Sequence, residues 1–260
     1  MQASRHIAFA ALAMAGAALA APQPSQAPVP AATFETVLPP GPGTKTATVA
    51  PFRMDRVPVS NADFARFVAA NPRWRRDRVA RVFADDGYLQ HWASPVTPAA
   101  GSERQPVTRV SWFAANAYCE ARGARLPTWY EWELVAAAGD DRADARNDPQ
   151  WRQRILDWYA RPAGTALPDV GRGTPNYYGI QDIHGLVWEW VQDLGSMMVS
   201  SDNREQGDPD TDRFCGSGAL SLEQKENYAM LMRIATLSSM KASYSSNSMG
   251  FRCASDGAQP

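Results

Sequence analysis

The stretch Tyr178-Gly-Ile-Gln-Asp-Ile-His-Gly-Leu-Val-Trp-Glu-Trp190 decides how the chain is read. It holds two tryptophans, two glycines and two carboxylates, and it lies in the part of the chain, beyond Gly139, where regular periodicity fades. Its character is that of the whole sequence: among 260 residues there are nine Trp, twenty Pro, three Cys and three His. So much tryptophan and proline points to an irregular, loop-rich fold pinned by aromatic anchors. The length suits one large domain or two small ones with a real core. With 26 basic against 27 acidic residues there is no electrostatic case for nucleic acid or an anionic membrane surface as partner.

Upstream of this stretch the pattern is more regular. Phe34 and Val37, then Thr46-Ala-Thr-Val49 and Phe52-Arg-Met54, alternate as strands do. Ser60 can cap a helix carrying Phe64, Phe67 and Val68, which Asn71-Pro72 stops. A second helix opens at Ser111, carries Trp112, Ala115, Tyr118 and Cys119, and ends at Gly123. Thr128-Trp-Tyr-Glu131 is a capping box for a third, which runs to Gly139. Residues 140–176 read as a surface excursion around one short helix near Trp151–Tyr159. Downstream, a polar acidic insertion from Ser200 to Arg213 precedes a β-like run, Tyr228-Ala-Met-Leu-Met-Arg-Ile234, and a final Met249-Gly-Phe-Arg-Cys-Ala254. There is no internal repeat.

The N-terminus reads as a targeting signal. Arg5 and His6 precede an uncharged apolar stretch, Ile7 to Ala18, followed by the small-x-small signature Ala18-Leu-Ala20. About a dozen apolar residues are too few to span a bilayer and fit a secretory signal over residues 1–20. Residues 21–44 then form a Pro/Ala-rich linker and entry segment, and residues 45–257 the domain. The expected location is periplasmic or secreted, with no membrane segment in the mature form. Removing the signal leaves only His91 and His184, which excludes a three-histidine iron site. In an oxidising compartment Cys119, Cys215 and Cys253 allow one bridge and one leftover thiol, and arithmetic does not choose the pair.

Four ordered motifs resemble the formylglycine-generating enzyme family, the sulfatase-modifying-factor domain. They are Val57-Pro-Val-Ser-Asn-Ala-Asp-Phe-Ala-Arg-Phe-Val68; Pro106-Val-Thr-Arg-Val-Ser-Trp112, leading to Ala117-Tyr-Cys119 and Arg125-Leu-Pro-Thr-Trp-Tyr-Glu-Trp-Glu133; the opening stretch; and Gly250-Phe-Arg-Cys-Ala254. The resemblance spans roughly residues 45 to 255 and implies an α+β, elaborated C-type-lectin-like fold with little regular secondary structure.

It also implies three things about sites. Cys119 would bridge Cys253, closing a loop whose chain-entropy value is about 4–5 kcal/mol at most. Asp182, the carbonyls of Gly185 and Val187, and Glu189 would hold calcium, a hard cation that takes six to eight oxygens. The alternative is a tight aromatic-walled turn whose carboxylates cap backbone N–H groups. Thirdly, the oxidase members use a pair of cysteines to bind Cu(I) and oxidise a sulfatase cysteine. Those two positions fall here on Gln224 and Ala229, and neither can form a thiolate.

Other constellations are sparse. Cys215 is a candidate catalytic thiol, and with Met230 and Met232 alternating on a strand it would form a soft set suited to Cu(I). Free Cys and Met are also ordinary core fillers. His184 reads as structural and His91 as a polar loop residue. A groove like that used by relatives for extended peptides would lie near Trp92, Trp188, Arg233 and Arg252. Details of the motifs resemble a subgroup of nitrite reductase accessory proteins. The expected function is therefore an exported accessory or maturation factor for a periplasmic redox (copper) protein, meeting it directly or through a peptide segment. The alternatives are an oxidase acting on a thiol or small molecule through Cys215, and a calcium-dependent lectin-like binding module.

Overall fold

A computed structural model describes residues 25–40, 43–160, 166–193 and 228–257. The segment expected to be a signal peptide lies outside them. Short strands and helices are joined by long irregular connections, giving an α+β fold with little regular structure.

One three-stranded antiparallel sheet runs in the order β1 (Gln26–Val29), β4 (Phe52–Asp55), β7 (Ala254–Asp256). β2 (Ala32–Glu35) and β3 (Thr46–Val49) form an antiparallel pair. β5 (Trp188–Glu189) runs parallel to β6 (Met249–Gly250). The stretch expected to be a linker thus supplies two strands. Ala27 and Val29 point into the core while Gln26 and Pro28 do not, a period-two burial masked by the proline content. Pro28 is tolerated because β1 is an edge strand, bonded only to β4.

The helices start where their caps predict. In α1 (Asn61–Ala70) Ser60 and Asp63 form a reciprocal capping box. Ser111 caps α2 (Trp112–Ala121), which ends near Gly123 at φ 68°. Thr128 and Glu131 form the capping box of α3 (Trp129–Ala136). Asp148 caps α4 (Pro149–Tyr159), with proline in its first turn. The run Tyr228–Ile234, read as β-like, is instead the start of α5 (Tyr228–Ser238). Its Ala, Leu and Met residues are strong helix formers, and Arg233 and Leu237, four apart, are both buried. The alternation that joined Met230 to Met232 has no counterpart here, because residues two apart share a face only in a strand.

Six of the nine tryptophans (Trp74, Trp92, Trp129, Trp132, Trp151 and Trp190) are buried. Phe64, Tyr118 and Phe251 meet in one aromatic cluster, with ring centroids 5.3–6.0 Å apart. Beside it Cys119 of α2 is bonded to Cys253, Cα–Cα 5.6 Å, fastening the second helix to the strand that completes the sheet. Among the described residues no helix is long and apolar enough to cross a membrane.

Candidate functional site

The site is organised around Glu189. Strand alternation turns Glu189 inward and leaves its neighbour Trp188 half-exposed. Gly250 lets the segment at Val107 lie close against β6, since a Cβ there would lie 2.8 Å from the Val107 carbonyl. Two residues on, Arg252 meets Glu189 with Nε at 2.9 and 3.0 Å and Nη2 at 2.8 Å from the carboxylate oxygens. Both residues are wholly buried. The remaining Arg252 donors reach the carbonyls of Asp55, Arg56 and Gln181, and Trp132 Nε1 donates to Glu189 Oε2 at 2.9 Å. Arg233 lies over the Trp132 ring, 3.5 Å from its centroid, and donates to the Glu189 carbonyl.

This arrangement corrects three of the four groove residues. Arg233 and Arg252 are 2% and 0% exposed and belong to the core. Each guanidinium is directed inward by a partner that neutralises or stacks on it. Trp92 is also buried, its indole N–H donated to Asn61 Oδ1 at 2.9 Å and its ring edge-on to Phe64. Trp188 alone of the four reaches the surface, with its ring 5.5 Å from that of Trp158. His91 is exposed in a turn. Cys215 and Gln224 lie outside the described residues. Ala229 lies in the first turn of α5.

The carboxylates expected to bind calcium are otherwise engaged. Asp182, at φ 58°, accepts from Gly173 N at 2.9 Å with Oδ1 and from Gly171 N with Oδ2, so it caps a loop. Glu189 is matched by a guanidinium and an indole. Among the described residues no group of three or more His, Cys, Asp or Glu side chains converges as a metal site. In this structure Asp182 caps backbone N–H groups and Glu189 pairs with Arg252 and Trp132, the engagements expected of an aromatic-walled turn with capping carboxylates.

A feature that the sequence reading missed lies at the far end of α3. Three side chains, one from α4 and two from the 173–185 turn, cap carbonyls at its end and just beyond it. Asn176 Nδ2 donates to Val135 O at 2.9 Å, His184 Nε2 to Ala136 O at 2.8 Å, and Trp151 Nε1 to Ala138 O at 3.2 Å. His184 stands edge-on between Trp132 and Trp151, with centroids at 5.8 and 5.7 Å. Burial there pushes its pKa down to about 4, so the ring is neutral and Nε2 carries the proton. These groups form one wall of a cavity of about 460 Å³ between α4 and the 173–185 turn. The only sequence signal was the pair Trp151 and Trp158, seven apart on one helix.

A small α+β domain of ordered aromatic motifs, stapled by one disulfide and centred on a buried Glu–Arg pair, defines a protein of the formylglycine-generating-enzyme type. The chain belongs to the family of sulfatase-modifying factor enzyme 1-like domains, whose profile matches residues 19–257. It is 30% identical over 256 residues to the formylglycine-generating enzyme of Streptomyces coelicolor, covering 81% of this chain and 80% of that one. It is 28% identical to the formylglycine-generating enzyme of Thermomonospora curvata, covering 82% and 84%. It is also 27% identical to the inactive C-alpha-formylglycine-generating enzyme 2 of Mus musculus, covering 83% and 79%. Among solved structures, that of CarF shares the fold with a TM-score of 0.52 at 17% identity, covering 90% of this chain and 98% of that one.

Proposed function

We propose that this chain is an exported accessory or maturation factor that uses a formylglycine-generating-enzyme-like domain for binding, not for oxidising a sulfatase cysteine, and that it assists a periplasmic redox protein such as a copper nitrite reductase. The reading is supported by Ala229, in the first turn of α5, at the position where the resemblance puts the oxidase's second cysteine. Without a thiolate there is no soft ligand for Cu(I) at that position and no sulfur to engage the substrate thiol. Family membership is compatible with either outcome, since relatives of nearly equal identity are named as active and as inactive enzymes.

Two measurements test the reading. Incubation with Cu(I), oxygen, a thiol reductant and a cysteine-containing sulfatase peptide leaves the peptide mass unchanged; conversion of its cysteine to formylglycine would overturn the proposal. Coexpression with a copper nitrite reductase in a periplasm raises the reductase's copper content and yields a complex of the two chains. Equal copper content with and without this chain, and no complex, would also overturn it.

A further inference from the structure

We infer that the cavity between α4 and the 173–185 turn is a binding site for an organic cation, a guanidinium or ammonium group on an apolar stem such as an arginine or lysine side chain carries. The inference rests on which hydrogen-bonding groups the lining leaves available, and it is independent of the proposed maturation role.

Three of the wall's donors are turned away. The Trp151 indole N–H, the Asn176 amide and the His184 Nε2–H each go to a carbonyl at the end of α3. Beside Thr174 and Arg154, what these three leave facing a ligand is acceptor and π surface. Asp182 accepts one backbone N–H on each oxygen, and each oxygen can accept again. Asp140 stands at the rim, 58% exposed. Among the described residues that line the cavity Arg154 is the single cation, and it is 3.6 Å from Asp140, so the two carboxylates leave a net negative charge.

The apolar part fits the same ligand. Trp151, Ile155 and Ile180 are buried beneath it, and Trp158 closes one side with an indole surface that attracts cations. Its ring meets Trp188, so the cavity wall continues into the half-exposed indole beside β5. About 460 Å³ accommodates one long side chain or a molecule of similar size.

Isothermal titration of the mature chain tests this with three titrants: arginine amide, its neutral isostere citrulline amide, and calcium chloride. The expected result is saturable binding of arginine amide, with citrulline amide about tenfold weaker because it lacks the charge. Trp158→Ala and Asp140→Asn, both at or near the surface, each weaken arginine amide about threefold with melting temperatures unchanged. Equal binding of citrulline amide, saturation by calcium alone, no saturable binding of any titrant, or full affinity in both variants would each overturn the inference.

Discussion

Arg252 and Glu189 form an ion pair from which solvent is wholly excluded, with three donor–acceptor contacts of 2.8–3.0 Å. Removing one member of such a pair leaves the other charge buried, and the usual cost is about 3–5 kcal/mol. Arg252→Met and Glu189→Gln are each expected to lower the unfolding free energy by about that amount. The double variant Arg252→Met/Glu189→Gln should be less destabilised than the two losses summed, because no unpaired charge remains. Urea denaturation of the four proteins measures the coupling, and strictly additive losses would contradict it.

The same pair bears on calcium. A ligand held by the native state alone must raise the melting temperature. With Glu189 matched by Arg252 and Trp132, and Asp182 capping Gly171 and Gly173, the melting temperature should be the same in EDTA as in millimolar calcium. A rise of several degrees on adding calcium would show that these carboxylates rearrange around the ion.

What was legible in the sequence follows the range of the interactions involved. Ser60, Ser111 and Thr128 cap helices through bonds to residues three positions on, so their spacing alone reveals them. The ordered motifs identified the fold, but they carried no information on where their side chains point. Arg252 is inward because its partner lies 63 residues away, and the cap on α3 draws donors from 13, 41 and 48 residues away. β1 and α5 were misread for a different reason. Proline content masked the strand, and a run whose one charged residue is Arg233 offers too few polar positions from which to read a period.

Cys119 and Cys253 are both fully buried and stand 134 residues apart, so their bond constrains most of the unfolded chain. Removing a native disulfide typically costs about 2–5 kcal/mol, with long loops toward the upper end on the chain-entropy account. The variant Cys119→Ala/Cys253→Ala should unfold at a lower temperature by an amount corresponding to that loss. In the wild-type protein, dithiothreitol should reduce this bond only as fast as the fold opens. Rapid reduction under native conditions, or an unchanged melting temperature in the variant, would contradict the buried position.

His184 makes stability depend on pH in a defined window. Burial between the tryptophans holds its folded pKa near 4, against an ordinary 6.5 in the unfolded chain. Between these values the unfolded chain binds a proton and the folded chain does not, so protonation favours unfolding. The contribution is fully present above pH 6.5 and is lost as pH falls toward 4, a change of about 3 kcal/mol. His184→Gln keeps a donor for the Ala136 carbonyl and removes the titration. Urea midpoints at pH 7.5 and pH 4.5 should therefore separate more in the wild type than in the variant. Equal separations would mean that the imidazole takes up its proton as readily in the fold as outside it, and the neutral cap on α3 would have to be abandoned.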